Sequence, residues 1–228
     1  MQLVYQEGGG LPVPQSGQDE PATARAYRAL ERMIVTLELA PGTVATEGAL
    51  IARLELGRTP VREAIQRLAW EGLIDIRPRA GLAIAPLHAA DWLRVIEARR
   101  GVEIVLARSA ARFITRSAAA SLHAAALAIQ KSVMNFEVAD FLDADKAMDE
   151  AIALAADNSF ASLAAAPLQT HSRRFWFRYR SRSGLAEAAE RHVGLISSII
   201  DGKEEEAGSA AEQLMDLLKV HAEAAARR

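Results

Sequence analysis

Gly57-Arg58-Thr59-Pro60-Val61-Arg62-Glu63-Ala64-Ile65-Gln66-Arg67-Leu68 is the stretch whose reading decides the fold. At about 100° per residue, Val61, Ala64, Ile65 and Leu68 share one arc of roughly a third of a helical circle. Thr59, Arg62, Glu63, Gln66 and Arg67 cover the opposite side, with Arg58 at its edge. Thr59 suits an N-cap, because its hydroxyl accepts an orphan backbone N–H. Pro60 then stands at the first helical position, where its missing N–H costs nothing. Taken alone, the window suits an ordinary surface helix as well as one that offers polar side chains to a partner.

Its surroundings decide between the two. Upstream, Ala26, Leu30, Met33, Ile34 and Leu37 recur at helical spacing between Pro21 and Leu39, and Ala40-Pro41-Gly42 ends that helix. A second helix runs from Glu47 to Leu54 behind Thr46 as N-cap. Downstream, Leu73–Arg77 and Leu82–Ala85 are short apolar segments around the turn Pro78-Arg79-Ala80-Gly81, which predicts a two-stranded hairpin. Three short helices and a hairpin in one small unit make a winged helix-turn-helix, whose third helix enters the major groove of DNA.

Charge supports this locally. Residues 21–87 hold nine Arg against seven acids, and the stretch from Arg58 to Arg79 holds five Arg against three. Arginine pairs bidentately with guanine and clamps phosphate. The bland alternative is that these arginines are solvated surface charges.

The run Pro41-Gly42, Leu50-Ile51-Ala52, Arg58-Thr59-Pro60-Val61-Arg62-Glu63-Ala64, Leu68, Glu71-Gly72-Leu73 and Gly81 resembles the DNA-binding domain of the GntR family of bacterial repressors, most closely its FadR/FCD subfamily. The heptapeptide Arg58–Ala64 is the specific part. The resemblance implies base or phosphate contacts from Arg58 and Arg62, a phosphate contact from Thr59, and a wing at Gly81 approaching the minor groove. Gln66 and Arg79 complete the expected DNA-binding set. Gly57 departs from the family's usual Ser and removes one hydroxyl.

After Pro86 the pattern is helical to the end, with helices over about 91–115, 118–134, 137–156, 159–181, 184–201 and 204–226. The fold class is therefore mainly α: an N-terminal winged helix-turn-helix (21–87) followed by a C-terminal six-helix antiparallel bundle (88–228), with residues 1–20 as an arm. This order again resembles an FCD regulator, whose bundle binds ligand and mediates dimerisation.

Asp145 and Asp149 lie four apart on one helix face, and His192 lies on a later helix. Two carboxylates and an imidazole suit a divalent ion such as Zn, Ni or Mn; alternatively both aspartates are solvated in an acidic stretch. FCD domains usually place Asp and His four apart, with two further His on the last two helices. Asp145 and His192 match that pattern, Asp149 replaces the first His, and Leu214 stands where the last should be. The metal set is incomplete by resemblance. Arg99 and Glu103 fit the family's effector-binding positions beside Asp145 and His192, and an inward Arg suits a carboxylate effector; alternatively they are an intrahelical ion pair. The run His171–Arg180, dense in Arg and aromatic rings, suits a pocket wall or a contact between the two halves.

The absence of cysteine excludes disulfides, zinc ribbons and thiol catalysis. No apolar run is long enough to span a membrane and no signal peptide is visible, so a cytoplasmic protein is expected. The net charge of −2 makes any DNA-binding surface local. The leading expectation is a ligand-responsive regulator, not an enzyme. It would bind a palindromic stretch of double-stranded operator DNA as a homodimer and sense a small-molecule effector. A helical metal-dependent enzyme built on Asp145, Asp149 and His192 is the competing class, and a winged unit used only for protein contacts a third.

Overall fold

A computed structural model of the chain describes residues 20–77, 81–181 and 184–227. Nearly all of the expected arm and the wing-tip residues Pro78, Arg79 and Ala80 lie outside these. The order is α1 (Ala22–Val35), β1 (Val44–Ala45), α2 (Glu47–Leu54), α3 (Arg58–Trp70), β2 (Ile74–Arg77) and β3 (Gly81–Ile84). Six longer helices follow: α4 (Ala89–Arg112), α5 (Arg116–Asn135), α6 (Val138–Ala155), α7 (Ser159–Tyr179), α8 (Gly184–Ile200) and α9 (Glu204–Ala226).

The first unit closes on its own apolar core. Ala26, Leu30 and Ile34 of α1 pack with Leu50 of α2, with Val61, Ala64, Ile65 and Leu68 of α3, and with Leu73, Leu82 and Ile84. The hairpin is present, with Ile74 opposite Ile84 and Arg77 opposite Gly81. The short strand β1, which the sequence pattern does not announce, pairs with the other edge of β3, giving the order β1-β3-β2. Two residues are too few to show alternation. Gly81 has φ +92°, and an added Cβ would lie 2.8 Å from the Ala45 carbonyl oxygen, so its visible role is to let these strands approach.

Two details of the opening helix differ from expectation. The N-cap of α3 is Gly57 rather than Thr59, and no side chain caps it. Pro60 is therefore the third helical residue, still inside the first turn where backbone N–H groups lack partners. The first helix also stops at Val35, four residues early, because Leu37 takes φ +60° and turns the chain.

In the second unit, α4 runs through the middle and packs against α6, α7, α8 and α9. Trp92, Ile96, Leu106 and Ala110 of α4 are buried among Leu122, Ile129, Phe141, Met148, Leu195, Met215 and Leu218. The His171–Arg180 run belongs almost entirely to the continuous helix α7, within the helix expected over about 159–181. The first unit docks through α1 onto α7. No helix among the described residues is long and apolar enough to cross a membrane.

Candidate functional site

Two surfaces carry the chemistry. The first is the outer face of α3. Burial of Val61, Ala64, Ile65 and Leu68 fixes the rotation of the helix and leaves Arg58, Thr59, Arg62 and Gln66 exposed on the other side. The Arg62 guanidinium pairs with Glu47 of α2 at 2.9 Å. The Arg62 side chain is largely in solvent and Glu47 is half-buried, so the pair is a partly screened surface one and exchanging Glu47 for a phosphate or a guanine edge costs little. Arg67 is exposed but engaged within the unit: it binds Glu71 at 2.9 Å and lies 3.8 Å above the Tyr27 ring. Arg77 pairs with Asp75.

The second surface is a cavity where α4, α6, α7, α8 and α9 converge, lined by Arg99, Asp145, Arg173, Trp176, His192 and Leu214 among others. Its volume is about 20 Å³, room for roughly one water molecule. Asp145, Asp149, Arg99, Glu103, Arg173 and His192 are all buried, which overturns the reading of the aspartates as solvated.

Each of these ions has a partner. Arg99 Nη2 lies 2.7 Å from Glu103 Oε1, and Gln169 Nε2 donates to the same oxygen at 3.1 Å. The Arg99–Glu103 ion pair is thus real, and it uses the fork that a carboxylate effector would need. His192 Nε2 lies 2.7 Å from Asp145 Oδ1, and His192 Nδ1 lies 2.6 Å from the Ala188 carbonyl oxygen. A carbonyl only accepts, so Nδ1 carries a proton; a second proton sits between Nε2 and Asp145. Burial alone would lower the His192 pKa, but the Asp145 carboxylate raises it. Burial would likewise raise the Asp145 pKa, and His192 with Arg173 and Arg99 brings it below the ordinary value.

Arg173, which the sequence reading left unassigned within its run, holds the centre. Its Nη1 donates to Asp149 Oδ2 at 2.6 Å and to Asp145 Oδ2 at 3.3 Å. Asp149 is nonetheless a weak acid, raised to about 7 by burial and by the Asp145 charge against the pull of Arg173. On the other side, Arg173 Nη2 donates to Thr170 Oγ1 at 3.3 Å, and that hydroxyl donates to Glu31 of α1 at 2.6 Å. Lys146 also binds the Glu31 carboxylate. Arg173 lines the cavity and two grooves of about 200 and 210 Å³ between α1 and the bundle. His171 Nε2, 2.8 Å from the Glu71 carbonyl oxygen, and Arg174, donating to that of Ala85 at 2.6 Å, fasten the same helix to the first unit. Glu31 had a legible signal: it follows Tyr27 by four residues and precedes Val35 by four, inside the buried stripe of α1. The Trp176 indole N–H is buried without a partner among the described residues, and sequence gives no hint of that.

The side chains do not fit a divalent ion. A guanidinium occupies the space between the two carboxylates, the His192 nitrogen that would bind metal faces Asp145, and Leu214 offers only hydrocarbon. No group of three or more acidic or imidazole side chains among the described residues is arranged as a metal site. Arg79 of the expected DNA-binding set lies outside the described residues.

Comparison with known proteins agrees with this architecture. Residues 22–84 match the family described as bacterial regulatory proteins, gntR family, and residues 94–217 match the FCD domain. The chain is 33% identical over 147 residues to the HTH-type transcriptional repressor RspR of Escherichia coli K12, and the match spans 63% of each chain. Among solved structures, E. coli McbR/YncC superposes with a TM-score of 0.74 at 16% identity, covering 87% of this chain and 95% of that one. A GntR transcriptional regulator from Rhodococcus sp. RHA1 superposes with a TM-score of 0.68 at 17% identity, covering 89% and 97%. At such identities the structures speak to fold alone. The matched families and the curated relative are regulators, not enzymes, which removes the metal-dependent enzyme as a reading.

Proposed function

Since the chain belongs to the GntR family and carries an FCD domain, we propose that it is a cytoplasmic repressor that binds palindromic operator DNA as a homodimer and responds to a small organic acid. The carrying observation is the exposed face of α3, where Arg58, Thr59, Arg62 and Gln66 stand clear of a fully buried opposite face. One such helix reads only a few base pairs, so two copies on a two-fold site are needed for specificity. Residues 21–87 form the DNA-binding unit and 88–228 the sensor and dimerisation unit. Repression is the activity named for RspR.

The sensor cavity supports an anionic effector. Arg99, Arg173 and His192 face Glu103, Asp145 and Asp149, and protonation of the weak acid Asp149 leaves one positive charge in excess. A monocarboxylate restores the balance, and the unpartnered Trp176 N–H is a donor for it. The cavity must widen to admit such a ligand. Arg173 then has a choice between Asp149 and the ligand, and its second nitrogen carries the change through Thr170 to Glu31 of α1. A ligand alters DNA affinity only by its differential affinity for the two arrangements.

The test is Arg62→Ala in a salt titration on a cognate operator. Loss of a guanine or phosphate contact weakens binding roughly tenfold or more and relaxes sequence preference. Unchanged affinity at every salt concentration would remove α3 as the reading helix.

A further inference from the structure

We propose that Arg173 is the resident cation of the sensor pocket, holding the place between Asp145 and Asp149 that a metal ion would need and making the sensor metal-independent. The observation is one of position. Arg173 is buried, and a single nitrogen of its guanidinium donates to a carboxylate oxygen of both aspartates, at 2.6 and 3.3 Å. A divalent ion would have to bind those oxygens at about 2.0–2.2 Å, inside the volume the guanidinium fills. Each of the three neighbours that would serve as ligands is otherwise engaged or unsuited: Asp149 with Arg173, His192 with Asp145, and Leu214 by its chemistry.

The guanidinium is also anchored from behind. Its second terminal nitrogen donates to the Thr170 hydroxyl, and the Glu31 carboxylate of α1 lies 3.9 Å away. A freely hydrated arginine could swing aside for an incoming ion. This one would have to give up its contacts with the buried Thr170 hydroxyl and the buried Glu31 carboxylate. Charge gives the same answer. Arg173 and the imidazole of His192, held by Asp145 and the Ala188 carbonyl, already set the chain's own positive charge against these two carboxyl groups without an added ion. The effector therefore meets a guanidinium rather than a Lewis acid, and its recognition depends on hydrogen-bond geometry.

The experiment uses the full chain, stripped with chelator and titrated with ZnCl₂, NiCl₂ and MnCl₂ by calorimetry, with metal content read by mass spectrometry. The wild type is expected to take up no ion in a manner sensitive to Asp145→Asn, and chelator leaves its unfolding temperature unchanged. Arg173→Ala exposes both carboxylates and gains one bound ion per chain, at least about tenfold tighter than wild type; adding Asp145→Asn abolishes the gain. Should the alanine variant fail to fold, Arg173→Met keeps the stem's packing and removes the charge. One equivalent of ion in the wild type, lost on Asp145→Asn, overturns the proposal. So does a folded Arg173 variant that gains none. The readout is ion binding alone, so it stands apart from the outcome of any operator measurement.

Discussion

Replacing Glu31 by alanine should separate the winged unit from the bundle. Its carboxylate is 3% exposed, accepts from Thr170 Oγ1 at 2.6 Å, binds Lys146, and faces Arg173 at 3.9 Å. Breaking a buried ion pair by removing one partner costs about 3–5 kcal/mol, because the other charge is left uncompensated. Lys146 lines both interunit grooves and can rehydrate there, so the lower end, about 3 kcal/mol, applies. The winged unit has its own core, so the loss falls on its docking and on the stability that docking lends it. For a unit of its size each kcal/mol is worth about 4–8 °C, giving a fall of roughly 12–24 °C if the whole loss acts there. Scanning calorimetry of the full chain should show the winged unit melting early and the bundle nearly unmoved. Glu31→Gln retains the Thr170 hydrogen bond and should show roughly half the fall. A single transition within about 1 °C of wild type for Glu31→Ala would refute the reasoning.

The Asp149 carboxyl gives a pH prediction. Its folded pKa of about 7 lies above its unfolded value, so its contribution is complete below the unfolded pKa and is lost as pH rises through about 7. The groups around it are Asp145, Glu103, Arg99, Arg173 and His192; Asp145, shifted downward, loses its contribution only on strong acidification, while His192, shifted upward, adds to the decline at rising pH. Unfolding temperature should therefore fall from about pH 5 to 8 in wild type and fall less in Asp149→Asn; equal slopes would dismiss the assignment. For the proposed dimer, Leu154, Phe160 and Leu163 are 83%, 87% and 75% exposed around the α6–α7 turn, and Leu154 shares a groove with Phe113. Exposed side chains of this size mark contact surfaces. Phe160→Glu with Leu163→Glu should yield monomers by light scattering, and an unaltered dimer would place the interface elsewhere.

Periodicity carried most of the fold because the helices are long and their apolar stripes regular. The third helix was legible twice over, from its stripe and from the Arg58–Ala64 run. Its cap was misplaced for a physical reason: Thr59 has the better capping side chain, yet Gly57 already takes the extended backbone at φ −63° and ψ 159° that begins the helix. The strand β1 was invisible, since it exists only through pairing with β3 across nearly forty residues. In the bundle, spacing put Asp145 and Asp149 on one face and placed Arg99 and Glu103 as a pair, but could not say what stood opposite. Four arginines in the His171–Arg180 run look alike in sequence. Only the packing of α7 against α6 and α1 distinguishes Arg173, which is buried between two aspartates, from Arg178, which is left partly in solvent.

The ion cluster makes an argument of its own. Taking a carboxylate or guanidinium out of water costs several kcal/mol, and apolar side chains in the same volume are often as stable or more so. A bundle this rich in alanine and leucine had such side chains to hand, so the cluster is a poor device for stability. It is a good device for position, because its members share partners: Asp145 serves His192 and Arg173, and Glu103 serves Arg99 and Gln169. Arg173 cannot move without leaving Asp149 unpaired, nor Glu103 without releasing both Arg99 and Gln169. On the proposed reading, an anion that draws Arg173 from Asp149 must also disturb Thr170, whose hydroxyl is held by Glu31 of the DNA-binding unit. One route from the sensor cavity to the recognition helix then runs through α1, which packs directly on α3. Arg173→Gln, carrying an effector-saturated protein through the same operator titration, should lose the effector's influence on DNA affinity while keeping that affinity; full retention of the response would show that the signal leaves the bundle by another face.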